Sequence, residues 1–429
     1  MSRGAEPAAG TRPVLGFWSL LTLGINGIVG VGIFFAPAEL AKVLPGAASA
    51  LGFVVTALLL LPVAWIYGRL GSAYPEDGGP YVWAREALGE RFAFAVGFVA
   101  YTSAVLSTAT VVSALGQYLG PELGFETPTA RFVFRLLAAL VLAGITLLGL
   151  RLSAWVWSGL TLLKLLPLVL LGAVALNDLA FGTPQLSWSL SDGNLARAGL
   201  LAVFPLQGFE IVPVPAGEAR AGKRTVLLAT VLSLGFAAAL YVLLQLACVL
   251  TLPKLAESSA PIVDAGSAAT HGFSGPLFAA GANISAVGIA FGMFAMTPRY
   301  LSALGTESLL GRALSRERRG VPVPALAVTT VAVVLLISSS AVLSLMVLSS
   351  LAVLLQYAVS AVALFRLASR RERGLGRLDR LLAPLSLLAI GALARAAEAS
   401  ELVTLGGILA LGFVLLWARR VLAPAGSAR

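Results

Sequence analysis

Apolar runs of roughly 18 to 25 residues, the length at which a helix crosses a hydrocarbon core of about 30 Å, recur along the whole chain and alternate with short polar joints. Twelve are predicted, at 15–41, 47–70, 92–119, 131–150, 153–177, 196–217, 225–252, 273–304, 322–341, 343–366, 380–398 and 401–420. All are expected to be helices, because an isolated strand leaves its backbone groups unsatisfied in lipid. The lead "MSRGAEPAAGTRP" is mildly basic. The run behind it is too long for a secretory signal and is expected to be retained as a span.

Two runs carry helix breakers near their middles. The first, "LGINGIVGVGIFFAP" at 23–37, holds Gly24, Gly27, Gly30 and Gly32, with Pro37 close behind. The sixth, "LLAVFPLQGFEIVPVPAGE", holds Pro205 and Gly208. Gly208 follows Gly32 by 176 residues, the seventh run starts 178 residues after the second, and the eighth starts 181 after the third. This near-constant offset predicts two five-helix repeats, 14–181 and 195–368. Because five is odd, the repeats must lie inverted in the membrane, and corresponding interrupted spans in such repeats point to a midplane transport site. Outside them lie a tail at 1–13, a helix pair at 379–420 and a tail at 421–429.

Composition strengthens the membrane reading: 58% of residues are hydrophobic and 12% charged, against about a quarter charged in soluble domains. The net charge of +10 invites a nucleic-acid partner until its distribution is examined. With the N-terminus in the cytoplasm, 23 of the 30 Lys and Arg fall at cytoplasmic ends and loops, 6 outside and 1 within a span. That is the positive-inside bias. "RALSRERRG" and "RLASRRERGLGRLDR" are therefore topology signals first, with anionic lipid as a secondary contact. The expected setting is the cell membrane, with both termini cytoplasmic, no nucleic acid and no obligatory partner chain. Cys248 alone makes no intrachain disulfide and His271 alone no histidine cluster, so no metal or cofactor is expected. A membrane-embedded enzyme would need converging nucleophiles, acids or metal ligands, which the sequence does not offer.

A helix broken in mid-membrane exposes N–H groups at the start of its second half and carbonyls at the end of its first. A zwitterion meets both needs. Ile28, Gly30, Val31 and Gly32 form the expected contact of the first break, with backbone N–H groups at 30–32 holding a carboxylate at a positive helix end. Carbonyls around Phe204 to Gly208 would receive an ammonium group. Small residues three or four apart, such as Gly24, Gly27 and Ala36, also serve as plain packing faces; the matching break in the sixth run favours binding.

"NGIVGVGIFFAP" resembles the first-helix signature of the amino acid-polyamine-organocation superfamily of transporters. "YPEDGGPYVWAREALG", "TLLKLLPLVLL", "VFPLQGFEIVPVPAGEARAGKRT", "LYVLLQLA" and "PRYLSALG" resemble its later segments in the family's order, over residues 15 to about 366. The resemblance implies an all-α integral membrane protein of twelve transmembrane helices, with a five-plus-five inverted repeat of leucine-transporter type and discontinuous first and sixth helices. Its implied substrates are amino acids or their amines.

Individual residues refine the expectation. Lys164 lies 11 residues into the fifth run from Ser153, or about 16 Å, too deep for its stem to reach water. The resemblance implies that it replaces a sodium ion by bridging the first and eighth helices; the cost of holding a charge there also makes it a candidate proton carrier. Glu210, a carboxylate just past the second break, is the other coupling candidate. An aromatic at the Phe204 position serves the family as a lid, and Phe209 flanks the same break. Gln207, Met293, Ser103 and Ser107 complete the expected lining. The pocket so drawn is largely apolar and favours neutral amino acids. Pro75, Gly78, Gly79 and Pro80 introduce an expected interfacial gate helix, beside which Glu218, Arg220, Lys223 and Arg224 are candidates for exchanging ion pairs. Val31 replaces a hydroxyl residue common in relatives, and Arg69 stands where many have a glutamate, putting a cytoplasmic ion pair in doubt. A binding-only receptor and a sodium-coupled symporter are the alternatives of the same fold.

Overall fold

A computed structural model describes residues 16–74, 79–149, 154–182, 186–191, 193–214, 223–270, 275–306, 312–339 and 341–422. The expectations attached to Pro75, Gly78, Glu218, Arg220, His271, the tail at 1–13 and the side chain of Lys223 fall outside the described residues.

The first apolar run is two helices, α1 (Phe17–Ile28) and α2 (Gly32–Val43), meeting at a bend of 49°. They are followed by α3 (Ala50–Ala73), the short α4 (Pro80–Leu88), α5 (Glu90–Glu122), α6 (Pro128–Leu147) and α7 (Ala154–Phe181). The sixth run gives α8 (Leu195–Leu206) and then, past Gln207 and Gly208, one 3-10 turn at Phe209–Ile211. Next come α9 (Lys223–Thr251), α10 (Pro261–Ala269) and α11 (Gly275–Thr306). A two-residue hairpin pairs β1 (Glu317–Arg318) with β2 (Val321–Pro322), and α12 (Val323–Ser339), α13 (Val342–Ser369), α14 (Arg377–Ala394) and α15 (Ala399–Leu422) complete the described chain.

Seven of the described helices, α3, α5, α6, α7, α9, α11 and α13, are long and apolar enough to cross a membrane. The pairs α1/α2 and α14/α15 qualify as bent pairs, the second folded back by 116°, and α12 is one of the shorter apolar helices. The sixth run does not resume as a regular helix within the described residues. Pro213 supplies a reason: its ring nitrogen cannot donate to the Phe209 carbonyl. The proline instead fills the space that glycine leaves at position 71 of α3, where a Cβ would overlap its ring. Helix α10 lies in a stretch read as a joint. Pro261 opens its first turn, where a missing N–H costs nothing, and Ile262 and Ala265 are fully buried.

Helix α5 runs through the centre, with 89% of its apolar stretch buried, against 28% for the peripheral α6. It packs on α11 and α13, while α3 packs on α9, α1 on α9, and α8 on α3. Hydroxyl groups stitch the helices together: Thr108 pairs with Thr297 at 3.0 Å between α5 and α11, Tyr101 with Thr329 at 3.2 Å between α5 and α12, and the Thr56 hydroxyl of α3 donates to the Gly199 carbonyl of α8 at 2.7 Å. Such bonds hold helices where lipid offers no hydrophobic drive between them. Leucines on the peripheral helices, among them Leu137, Leu140, Leu335 and Leu388, stand exposed and form the apolar outer surface a bilayer covers. Arg69 does find an acidic partner. Its guanidinium donates to both Asp379 oxygens at 2.8 Å, and Trp65 Nε1 donates to the same carboxylate at 3.2 Å, tying α3 to α14.

Candidate functional site

Helix α1 ends because Val29 turns to ψ +88° after its N–H has bonded the Ile25 carbonyl, within a glycine-rich segment where each glycine disfavours helix by about 1 kcal/mol relative to alanine. The carbonyls freed there are supplied from two other helices. Lys164 Nζ, from α7, donates to the carbonyls of Val29 at 2.6 Å and Asn26 at 3.1 Å. The Tyr241 hydroxyl, from α9, donates to the Ile28 carbonyl at 2.9 Å. Lys164 is 3% exposed, and its ammonium therefore depends on these dipoles in place of water.

Two donors on the other side of the break are left over. Helix α2 starts at Gly32 with no side-chain cap; the Gly30 N–H is taken by the Tyr241 hydroxyl, and among the described residues the N–H groups of Val31 and Gly32 have no hydrogen-bond acceptor. Two unpaired backbone donors at a positive helix end suit a carboxylate.

The second break has the opposite bias. Gly208, at φ +121°, takes a conformation that side chains resist, and its N–H donates to Glu210 Oε2 at 2.7 Å. The Tyr357 hydroxyl donates to that same oxygen at 2.8 Å. The donor is thus consumed within the break, whereas the carbonyls of Phe204, Pro205, Leu206 and Gln207 have no donor among the described residues. Gln207 Oε1 is a buried acceptor that is likewise unpaired. Its amide nitrogen donates to Ser107 Oγ at 3.1 Å and to Ser349 Oγ at 3.3 Å, and those two hydroxyls share a hydrogen bond of 2.7 Å.

The two breaks touch through their backbones. A Cβ on Gly208 would overlap the Gly27 carbonyl and stand 2.8 Å from the Ile28 nitrogen; one on Gly27 would stand 2.8 Å from the Gly208 carbonyl oxygen. Glycine at both positions is what lets free donors and free acceptors share one buried region. Phe204 lies over the start of α2: its Cδ1 would be 3.1 Å from a Cβ on Gly32, and its ring centroid is 6.0 Å from that of Phe35. Ile28 and Val31 are buried beside it.

The other expected residues divide. Ser107 joins the second break through Gln207, while Ser103, buried one turn earlier on α5, makes no hydrogen bond to it among the described residues. Met293 is half-buried on α11; the residue one turn before it, Ile289, is the one whose Cδ1 lies 3.1 Å from the Cβ position of Gly30. Phe209 is fully buried in an aromatic cluster, 5.3 Å from Tyr357 and 6.1 Å from Tyr67 between ring centroids. The bonds of Lys164 reach α1 and, among the described residues, not α11. Tyr241, Ile289, Ser349 and Tyr357 were not singled out by sequence, since each is an ordinary residue in an apolar run.

The amino acid permease family model matches residues 15–419. The chain belongs to this family. It is thereby a multi-pass membrane protein of the amino acid-polyamine-organocation superfamily, placed among transporters rather than enzymes. Cationic amino acid transporter 4 of Homo sapiens is 27% identical over 341 residues, covering 73% of this chain and 53% of the relative. The chain thus spans about half of that relative's length. An uncharacterized transporter of Mycobacterium tuberculosis is 26% identical over 420 residues, covering 96% of this permease and 92% of the relative. The cadaverine/lysine antiporter of Escherichia coli K12 is 25% identical over 279 residues, covering 62% and 61%.

Proposed function

We propose that this permease is a sodium-independent secondary transporter of amino acids, working by alternating access as an exchanger or a proton-coupled carrier. The observation that carries the reading is the division of labour between the touching breaks: free N–H groups at Val31 and Gly32 on one, beside a Gly30 N–H held by Tyr241, and free carbonyls at Phe204 to Gln207 on the other. This pattern matches the two ends of an α-amino acid. Phe204 closes over it, and Glu210, bonded to the Gly208 N–H and Tyr357, fixes the second break and is a candidate for carrying a proton.

Sodium independence rests on Lys164, whose ammonium takes the carbonyls at the end of α1 that would otherwise attract a cation. The inverted-repeat reading with twelve spans is supported by the packing, because exchanging each helix for its counterpart five spans on turns the contact of α1 with α9 into that of α8 with α3. The pairs α3 with α9 and α5 with α11 map onto themselves. Domains 14–181 and 195–368 are proposed on that basis, with both termini cytoplasmic from the charge distribution.

Neutral substrates fit because the carboxylate nearest the breaks, Glu210, is already engaged by two donors. The names of two relatives, a cationic amino acid transporter and a cadaverine/lysine antiporter, support cationic substrates as the second reading. Uptake of labelled leucine, alanine and lysine into proteoliposomes, with sodium or choline outside, separates these possibilities. The proposal expects uptake of a neutral amino acid that is unchanged in choline. Binding without flux would mark a receptor, and flux only in sodium would remove the role given to Lys164.

A further inference from the structure

Away from the breaks, the turn joining α13 to α14 forms an open pocket of about 630 Å³, lined by Arg371, Leu375, Gly376, Arg377, Arg380 and Leu381 among others. It belongs to none of the machinery described above. Its three arginines are exposed and make no ion pair among the described residues. The carboxylates of the surrounding elements are committed elsewhere. Asp379 faces inward to Arg69 and Trp65 and caps the Gly376 N–H at 2.8 Å. Glu372 accepts from the Tyr74 hydroxyl at 3.0 Å and lies 3.5 Å from Arg370. The pocket is therefore left with positive charge that no nearby acid cancels.

An apolar track begins at its rim. Leu378, Leu381, Leu385 and Leu388 recur at three- and four-residue spacing along α14, so they share one helix face, and each is at least 49% exposed. We infer that this pocket and track form a binding site for an anionic phospholipid, with its phosphate among Arg371, Arg377 and Arg380 and an acyl chain along the leucines. A planar guanidinium matches two phosphate oxygens at once, and the start of α14 adds the positive end of a helix dipole. Basic side chains at the ends of spans are attracted to anionic headgroups. The leucine track is what commits the site to a lipid, since a soluble phosphate would use the arginines alone.

The test uses the purified full-length permease in mild detergent, with bound lipid counted by native mass spectrometry and thermal unfolding followed in parallel. The probes are dioleoyl phosphatidylglycerol, dioleoyl phosphatidylcholine and glycerol 3-phosphate. The wild type is expected to retain phosphatidylglycerol preferentially and to unfold at a higher temperature with it than with phosphatidylcholine. Replacing Arg371, Arg377 and Arg380 by Gln should remove that preference, each arginine contributing roughly fivefold, whereas R371K/R377K/R380K should keep part of it. R316Q/R318Q/R319Q, which removes as much charge at another exposed cluster, should leave it intact. Three results would overturn the site: equal retention of both lipids by the wild type, equal loss of preference in the two Gln variants, or equal stabilisation by glycerol 3-phosphate. The wild-type comparison stands even if a variant fails to fold. None of these readouts involves transport, so the lipid site and the proposed transport function fail separately.

Discussion

Gly208 is the residue on which the contact between the breaks turns. Its φ of +121° and the overlap a Cβ would make with Gly27 predict that Gly208→Ala lowers stability by about 1–3 kcal/mol, read as a drop in melting temperature, and abolishes flux. Gly30→Ala is a contrasting case. Its φ is not in the left-handed region, and its new methyl would meet the flexible end of Ile289 at 3.1 Å, so the fold should survive while the amino acid's carboxylate is crowded out. Lys164→Ala would leave the Val29 and Asn26 carbonyls without donors. A cost of about 1–3 kcal/mol for each buried group left unpaired predicts lower thermal stability and loss of uptake, with a sodium-dependent partial recovery if a cation takes the vacated place. Lys164 and the glycines were legible in sequence because a charge at depth or a run of helix breakers stands out against apolar residues. Tyr241, which completes the capping of α1, was not, since its role depends on how α9 is rotated against α1. Phe209 illustrates the same limit: it flanks the break in sequence, yet the 3-10 turn places it among Tyr67 and Tyr357.

At the scale of elements, α5, α8 and α13 are coupled through polar groups that no single helix pattern reveals. Gln207 at the end of α8 reaches Ser107 on α5 and Ser349 on α13, and Tyr357, two turns beyond Ser349, holds Glu210. Tyr357→Phe removes one of the two donors on that carboxylate oxygen. It should cost about 0.5–1.5 kcal/mol and raise KM for the transported amino acid by loosening the second break. Hydropathy located the long helices well, because burial in lipid demands an uninterrupted apolar run. It missed α10, whose nine residues are too few to separate a helix from a joint, and the single 3-10 turn after Gly208, near which Pro213 fills the space left at Gly71.

At the scale of the whole molecule, α14 and α15 are clamped to the body at the start of each helix. Arg69 and Asp379 fasten the start of α14 to α3, and Arg197, at the start of α8, donates to both oxygens of Glu401 on α15 at 2.6 and 2.8 Å. The second clamp ties the broken α8 to a helix outside the two proposed repeats. A double-mutant cycle between Arg197→Ala and Glu401→Ala should therefore show a coupling of about 1 kcal/mol in thermal stability, and a matching change in flux if α8 moves during transport.

The central claim, that the touching breaks hold both ends of an amino acid, is tested most directly by melting curves of the wild type and Gly30→Ala in sodium-free buffer with each of the twenty amino acids. A ligand at a hundred times its Kd stabilises the folded form by about 2.7 kcal/mol. The account predicts that at least one neutral amino acid raises the wild-type melting temperature and that Gly30→Ala loses most of the rise. An equal rise in both proteins would place the ligand elsewhere, and no rise with any amino acid would contradict the account.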